Sequence, residues 1–215
     1  SQNAGNIARV TDVQGGIWMD SGTQWTKIFP MVNVKDAPFN AKGDNATDDT
    51  AAIQAALNAA GNAGAKTTVF FPAGTYLIST ALTIPSNINI VGAHNYGSVI
   101  KATAAITMFN GQDAVQLNVR DILLQGNATA TVGMDFSNTA IGIGADTKID
   151  IGPNVHIQGT TLIAIKMTNC GGTDTRIHHS LFDGLTSGIA ISWSNIGGPT
   201  FIDFVGCGSA GGNFD

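Results

Sequence analysis

Five short, strand-like segments end in glycine, and their spacing constrains the fold more than any other feature of this chain. They are Asn87–Gly92, Asp121–Gly126, Asn154–Gly159, His179–Gly184 and a degenerate Asp203–Gly208. Their glycines stand 34, 33, 25 and 24 residues apart. Units that recur every 20–50 residues mark a solenoid, in which one coil buries its apolar positions only against the next. Stacked strands lie about 4.8 Å apart.

Alignment on the glycine sorts the side chains into columns. Ile90, Leu124, Ile157 and Phe182 stand two positions before it, and Ile88, Ile122, Val155 and Ser180 four before. Side chains alternate across a strand, so these columns face inward. The outward columns hold Asn89, Leu123, His156 and Leu181, then Val91, Gln125, Gln158 and Asp183. Leu123, Leu181 and Val91 are more apolar than a solvated face needs, which predicts cover by a loop or a neighbouring chain. Further strands are expected around Ser98–Lys101, Ile106–Phe109, Gly133–Phe136, Ile141–Ile143, Leu162–Met167 and Gly188–Trp193, giving two or three strands per coil.

Composition agrees. Glycine occurs 27 times, charged residues make up only 12%, and every one of the fifteen acids is aspartate. Aspartate favours turns and caps, where glutamate favours exposed helix. The formal net charge of −5 argues against a nucleic-acid partner. No uninterrupted apolar run reaches a membrane-spanning length, and no charged-then-apolar leader opens the chain. Cys170 and Cys207 are too few for a disulfide framework and read as buried thiols.

One helix interrupts the pattern. Ala52, Ile53, Ala56, Leu57 and Ala60 recur at helical spacing after Thr47-Asp48-Asp49, and Gly61 and Gly64 end the run. Thr47 or Asp48 is expected as N-cap, with a loop before it. The spacing predicts a helix over about 48–60 whose narrow apolar stripe lies flat on the end of something larger. Ahead of it, Ile17–Met19 and Trp25–Phe29 flank a hairpin turn, and Ile7, Val10 and Val13 show loose helical spacing. Trp18 and Trp25 read as packing residues, with sugar stacking as the alternative.

Val34-Lys35-Asp36, Gly43-Asp44 through Gln54, and Phe71-Pro72-Ala73-Gly74-Thr75-Tyr76 together resemble the N-terminal signature of the pectate-lyase-like right-handed parallel β-helix superfamily. Phage tailspikes and secreted polysaccharide-degrading enzymes share it. The signature departs at Asp36–Ala41 and at Asn45, where a glycine is usual. The resemblance implies an all-β, right-handed, single-stranded parallel β-helix with an N-terminal capping α-helix. The expected organisation is a neck segment at 1–31, a cap at 32–66 and coils over 67–215. The last coil carries no cap signal, so the chain is expected to be the N-terminal part of a longer protein or to be covered by another chain.

The same resemblance implies a bacterial surface polysaccharide as partner, a homotrimer, a virion or extracellular setting, no cofactor, and catalysis completed in the full-length protein. A secreted lyase or hydrolase, and a non-catalytic adhesive module, are the alternatives. Glycoside hydrolysis uses two carboxyl groups about 5–9.5 Å apart. Asp183 and Asp203 are the catalytic candidates, with His179 as acid or base, stacked beside Asp203 if Gly184 and Gly208 align. His178 offers the same chemistry. His156, Gln158, Gln125 and Asp174 are the binding candidates. The competing reading makes Asp174 and Asp183 turn residues and one histidine half-buried. Lyase chemistry would draw on Arg176 or Lys166. Asp135, Asp146 and Asp150 are too scattered to form a metal cluster, and no metal site is expected.

Overall fold

The computed structural model describes residues 7–9, 17–20, 25–29, 31–139, 148–169, 174–185, 189–194, 201–205, 208–210 and 213–214. For 7–29, Asp174, Trp193 and 201–214 the description is of the backbone alone. Three parallel sheets wind round one core. The first contains Met31–Asn33, Thr67–Phe71, Ile88–Gly92, Leu117–Arg120, Lys148–Ile151, Asp174–His178 and Phe201–Val205 in spatial order. The second contains Asp44–Asp48, Gly74–Ile78, Ser98–Ala102, Ile122–Gln125, Val155–Gln158, Leu181–Asp183 and Gly208–Ala210. The third contains Leu82–Thr83, Thr107–Asn110, Val132–Asp135, Ile163–Thr168, Ile189–Ser194 and Asn213–Phe214. Each coil places one strand in each sheet, so the chain is the right-handed parallel β-helix that its signature implies.

Stacking is register-true, like residue over like residue. Tyr76, Ile100, Leu124, Ile157 and Phe182 form one inward ladder, and all are fully buried. Val69, Ile90, Val119, Ile151 and Ile177 form a second. Leu82, Phe109, Met134, Ile165 and Ile191 form the third. From Ile100 to Leu124, Ile157, Phe182 and Ser209 the coils take 24, 33, 25 and 27 residues. Strand spacing is constant, so the variation is absorbed in loops, which stability tolerates well.

Two glycine-ended units are corrected by this register. Asn87–Gly92 belongs to the first sheet: Ile90 pairs with Val119, not with Leu124. Gly92 has its own reason to be glycine. A Cβ there would come 2.1 Å from the carbonyl oxygen of Asp121. Asp203–Gly208 spans two sheets, with Asp203 in the first and Gly208 opening a strand of the second. Gly126, Gly159 and Gly184 do stack, and a Cβ on Gly126 would meet the Gly159 oxygen at 2.6 Å.

The helix runs Thr50–Gly61 and turns Ile53, Ala56, Leu57 and Ala60 into the core at the end of the stack. It begins two residues later than the periodicity suggests. Asp49 occupies the N-cap but makes no side-chain cap bond. Its buried carboxylate instead accepts the N–H groups of Lys42 (2.6 Å) and Gly43 (2.9 Å). Asp48 accepts the Thr50 N–H, and its neighbours Asp44–Asp48 form an irregular strand where a loop was expected. Beside Asp49 the Tyr76 phenol donates to the Pro72 carbonyl at 2.7 Å. Burial, and then the Asp49 charge, hold that phenol well above its ordinary pKa. Ahead of the cap, Ile7–Arg9, Ile17–Asp20 and Trp25–Phe29 form an antiparallel three-stranded sheet. Ile7 is therefore in a strand; Val10 and Val13 lie outside the described residues, as do Cys170, Cys207 and Ile141–Ile143.

Candidate functional site

The corner between the first and second sheets is one to three residues wide and carries a left-handed residue in each of three coils. Asp121, Asn154 and His179 occupy it in successive coils, with φ of 57°, 59° and 48°. Asparagine and aspartate tolerate this region because their short side chains bond locally. Here Asn154 Nδ2 donates to Asp121 Oδ1 at 2.9 Å, and the Asn154 N–H donates to the His179 carbonyl at 2.9 Å. The corner sets the register of the second sheet. Lys101, Gln125, Gln158 and Asp183 thereby stand in one outward column.

The last three of these form the wall of an open cleft of about 370 Å³, lined by Gln125, Asn127, Gln158, Gly159, Asp183 and Gly184. Four of the seven candidate residues meet there or beside it. Gln125, Gln158 and Asp183 line it, and His156 Nε2 lies 3.0 Å from Asp183 Oδ1. A carboxylate only accepts, so the ring donates from Nε2. His156 Nδ1 is left buried without a partner among the described residues.

His156 is only 3% exposed, which corrects its expected role as a surface contact. It orients Asp183 from beneath. Its cover is local: the Tyr96 ring stands edge-on to it at 5.6 Å and is itself 63% exposed. Tyr96 is held by a turn in which His94 Nδ1 accepts the N–H groups of Tyr96 and Gly97. Leu123 and Val91 are also buried within the chain, at 5% and 9% exposure, whereas Leu181 is half-buried. Among the outward apolar residues, then, most of the expected cover comes from the chain itself.

The remaining candidates are placed elsewhere. Asp203 pairs in register with Arg176 on the first sheet, so it stands neither in the His179 column nor on the Asp183 face. Asp174 opens the strand Asp174–His178, pairing with Lys148, and Asp183 ends the strand Leu181–Asp183; neither sits in a turn. His179 is an exposed corner residue whose Nδ1 lies 3.3 Å from His178 Nδ1. His178 Nε2 in turn meets Asp150 Oδ1 at 2.9 Å. On the third sheet Lys166 Nζ pairs with Asp135 Oδ2 at 3.0 Å. Tyr96, Asn127 and Asp150 were not among the site residues drawn from the sequence, whereas His178 was offered beside His179 as an acid or base. Asp150 carried a signal, being titratable and outward in the alternating strand Lys148–Ile151. Among the described residues no group of three or more His, Cys or Asp gathers as a metal site.

Hydrogen-bonding amides, one oriented carboxylate and an exposed ring on the side of stacked coils define a parallel β-helix protein with clefts open along its outer faces. Residues 31–210 match the family described as rhamnogalacturonase A/epimerase, pectate lyase-like, and the chain belongs to that family. It is 42% identical over 116 residues to Alginate lyase 7 of Azotobacter vinelandii, covering 47% of this chain and 13% of that protein. In structure it resembles ORF18 of Geobacillus virus E2, with a TM-score of 0.56 and 20% identity, covering 96% of this chain and 52% of that one. It also resembles the A-module of the mannuronan C-5 epimerase AlgE4 of A. vinelandii, with a TM-score of 0.56 and 22% identity, covering 81% and 58%. The chain thus spans about an eighth of the lyase and little more than half of each solved neighbour. No helix among the described residues is long and apolar enough to cross a membrane.

Proposed function

We propose that this chain binds a polysaccharide along the second sheet, within a larger protein that cleaves or modifies the bound glycan. The Gln125–Gln158–Asp183 column carries the reading. Two amides and a carboxylate at successive strand spacings offer the donors and acceptors that glycan hydroxyls can pair with. His156 keeps Asp183 pointed into the cleft. The named activities of the alginate lyase and of the mannuronan epimerase support a polysaccharide substrate for the whole protein.

In its finer form the reading is a phage tailspike that recognises bacterial surface polysaccharide as a homotrimer. A phage chain that matches nearly all of this one in fold favours it. A secreted enzyme is the second reading, favoured by the 42% identity to an alginate lyase. Binding of glycan fragments, followed by calorimetry for wild type and for Gln158→Ala, tests the cleft; unchanged affinity in the variant sinks it. Mass in solution of this chain beside that of a longer one separates the settings, since a lone stable species of 22.1 kDa weighs against the trimer. The full-length protein should release new reducing or unsaturated ends from the glycan it binds.

A further inference from the structure

His178 and His179 are neighbours in the chain, yet both point outward. Along a strand, successive side chains take opposite faces. Ile177 is fully buried, and His178 stands outward at the end of the strand Asp174–His178. His179 would turn inward again, but its φ of 48° swings it out as well. The two Nδ1 atoms come to 3.3 Å, with the rings perpendicular. The same corner holds Asp121 and Asn154 in the two coils before, and their side chains bond each other at 2.9 Å. Such local bonds let Asp and Asn take a left-handed backbone. The His179 ring joins neither residue; among the described residues it meets only His178. Strain held at a chemically active side chain points to a function.

Asp150 decides where the His178 proton sits. A carboxylate only accepts, so His178 Nε2 carries the proton it donates to Asp150 Oδ1 at 2.9 Å. Nδ1 of the neutral ring is then a lone pair, and it faces His179 Nδ1. Their 3.3 Å separation exceeds the roughly 2.7–3.2 Å of an N–H hydrogen bond. It fits the bite of a metal ion instead. Two zinc–nitrogen bonds of about 2.05 Å that span this gap meet at about 107°, close to tetrahedral, whereas the same bonds at a right angle span only about 2.9 Å. A carboxylate on the far ring nitrogen is also the usual support of a histidine that ligates a metal.

We propose that His178 and His179 chelate a zinc ion through their Nδ1 atoms, with Asp150 fixing the His178 ring from behind and water filling the two remaining positions. Imidazole nitrogens suit zinc, whereas calcium and magnesium take oxygen ligands. His179 is exposed, so its own proton moves to Nε2, against solvent. Two protein ligands make an open site, held less tightly than a structural zinc with four. The ion pins the end of the first sheet to the corner that leads into the second, and it shares no residue with the glutamine column.

The chain, free of any histidine tag and stripped with a chelator, is titrated with zinc by calorimetry and with cobalt by visible absorption. One ion per chain should bind, with the intense cobalt bands of a tetrahedral site and with nitrogen NMR shifts at both Nδ1 atoms. Calcium and magnesium should give no heat. His179→Asn places at this corner the residue that serves there one coil earlier, so the fold is kept while a ligand is lost; zinc should bind at least tenfold more weakly. Asp150→Asn should weaken zinc about tenfold with both ligands in place. His94→Gln should leave zinc binding unchanged. Circular dichroism melts check that the variants fold. Full zinc affinity in His179→Asn, or no binding at millimolar zinc, overturns the proposal.

Discussion

His156 and Asp183 meet across one coil step, Nε2 to Oδ1 at 3.0 Å, with the imidazole buried and the carboxylate open to the cleft. The histidine acts on a ligand only through the aspartate. His156→Leu fills the same space but releases Asp183, and Asp183→Asn removes the charge. Each should weaken the glycan bound in this cleft about tenfold, or ~1.4 kcal/mol. Residues in one hydrogen-bonded unit couple, so the double variant should lose little more than either single one. Calorimetric titration of the three variants checks this; strictly additive losses would show that His156 works independently.

That pair also shows how far the residues alone could lead. The strand Val155–Gln158 is legible because Val155 and Ile157 alternate with His156 and Gln158, and period two is the mark of a strand. Alternation predicts an outward His156, and it does point outward. It cannot predict that a turn two coils earlier in the stack lays Tyr96 over it. Burial on the outer face is decided by a loop, and loops leave no periodic trace.

The first sheet was the harder one to see. Leu117–Arg120 and Lys148–Ile151 alternate apolar and polar residues over only four positions, Asp174–His178 turns Thr175 and Ile177 inward, and no glycine ends any of the three. Without a glycine to align on they form no column in the sequence, and Asp203 was aligned through Gly208 with the second sheet. Gly92 added to the error. It resembles the glycines of the second-sheet corner but is required by a different contact, the Asp121 carbonyl.

Gly126 and Gly159 should be sensitive for opposite reasons. Gly126→Ala drives a Cβ to 2.6 Å from the Gly159 oxygen, a backbone atom that cannot move without shifting a coil. Gly159 has φ of +67°, and the nearest atom to an added Cβ is 3.3 Å away, so Gly159→Ala costs strain more than collision. Overpacking is worth about 1–3 kcal/mol and left-handed strain about 1–2 kcal/mol, and a 2.6 Å approach to a backbone oxygen belongs at the upper end of the first range. Urea melts should therefore rank Gly126→Ala as the more damaging. The reverse order would mean that the glycine stack is looser than the distances imply.

The left-handed corner separates backbone from side-chain requirements at a single position. Asn154→Gly keeps φ near 59° without strain and loses only the bond to Asp121. Asn154→Asp keeps the shape but sets two carboxylates where one donor–acceptor pair stood at 2.9 Å. Like charges that close disfavour both ionised forms. At neutral pH the aspartate variant should be less stable than the glycine variant by about 1 kcal/mol, an ordinary size for a lost polar contact. The gap should close in acid, as one carboxyl takes up a proton. Thermal melts of both variants at neutral and acid pH decide it, and a gap that ignores pH would assign the cost to geometry.

The cap should loosen in acid through Asp44 and Asp48. The backbone N–H groups of Thr47 and then Ala46 hold Asp44 down to about 2, from the ordinary value of 3.8. The Ser79 hydroxyl, and then the Thr50 hydroxyl, lower Asp48 as well. Ser79 opens the turn after the strand Gly74–Ile78, so Asp48 ties the start of the helix to the first full coil. Both groups bind protons less readily folded than unfolded. Their contribution is complete above 3.8 and is lost as the pH falls through the folded values. The acid side of the stability curve should therefore descend across this window in wild type and flatten in Asp44→Asn/Asp48→Asn, which should also be less stable at neutral pH. Circular dichroism melts taken from neutral pH down to about 2 supply the comparison. Parallel curves for the two proteins would place the acid-sensitive groups elsewhere in the chain.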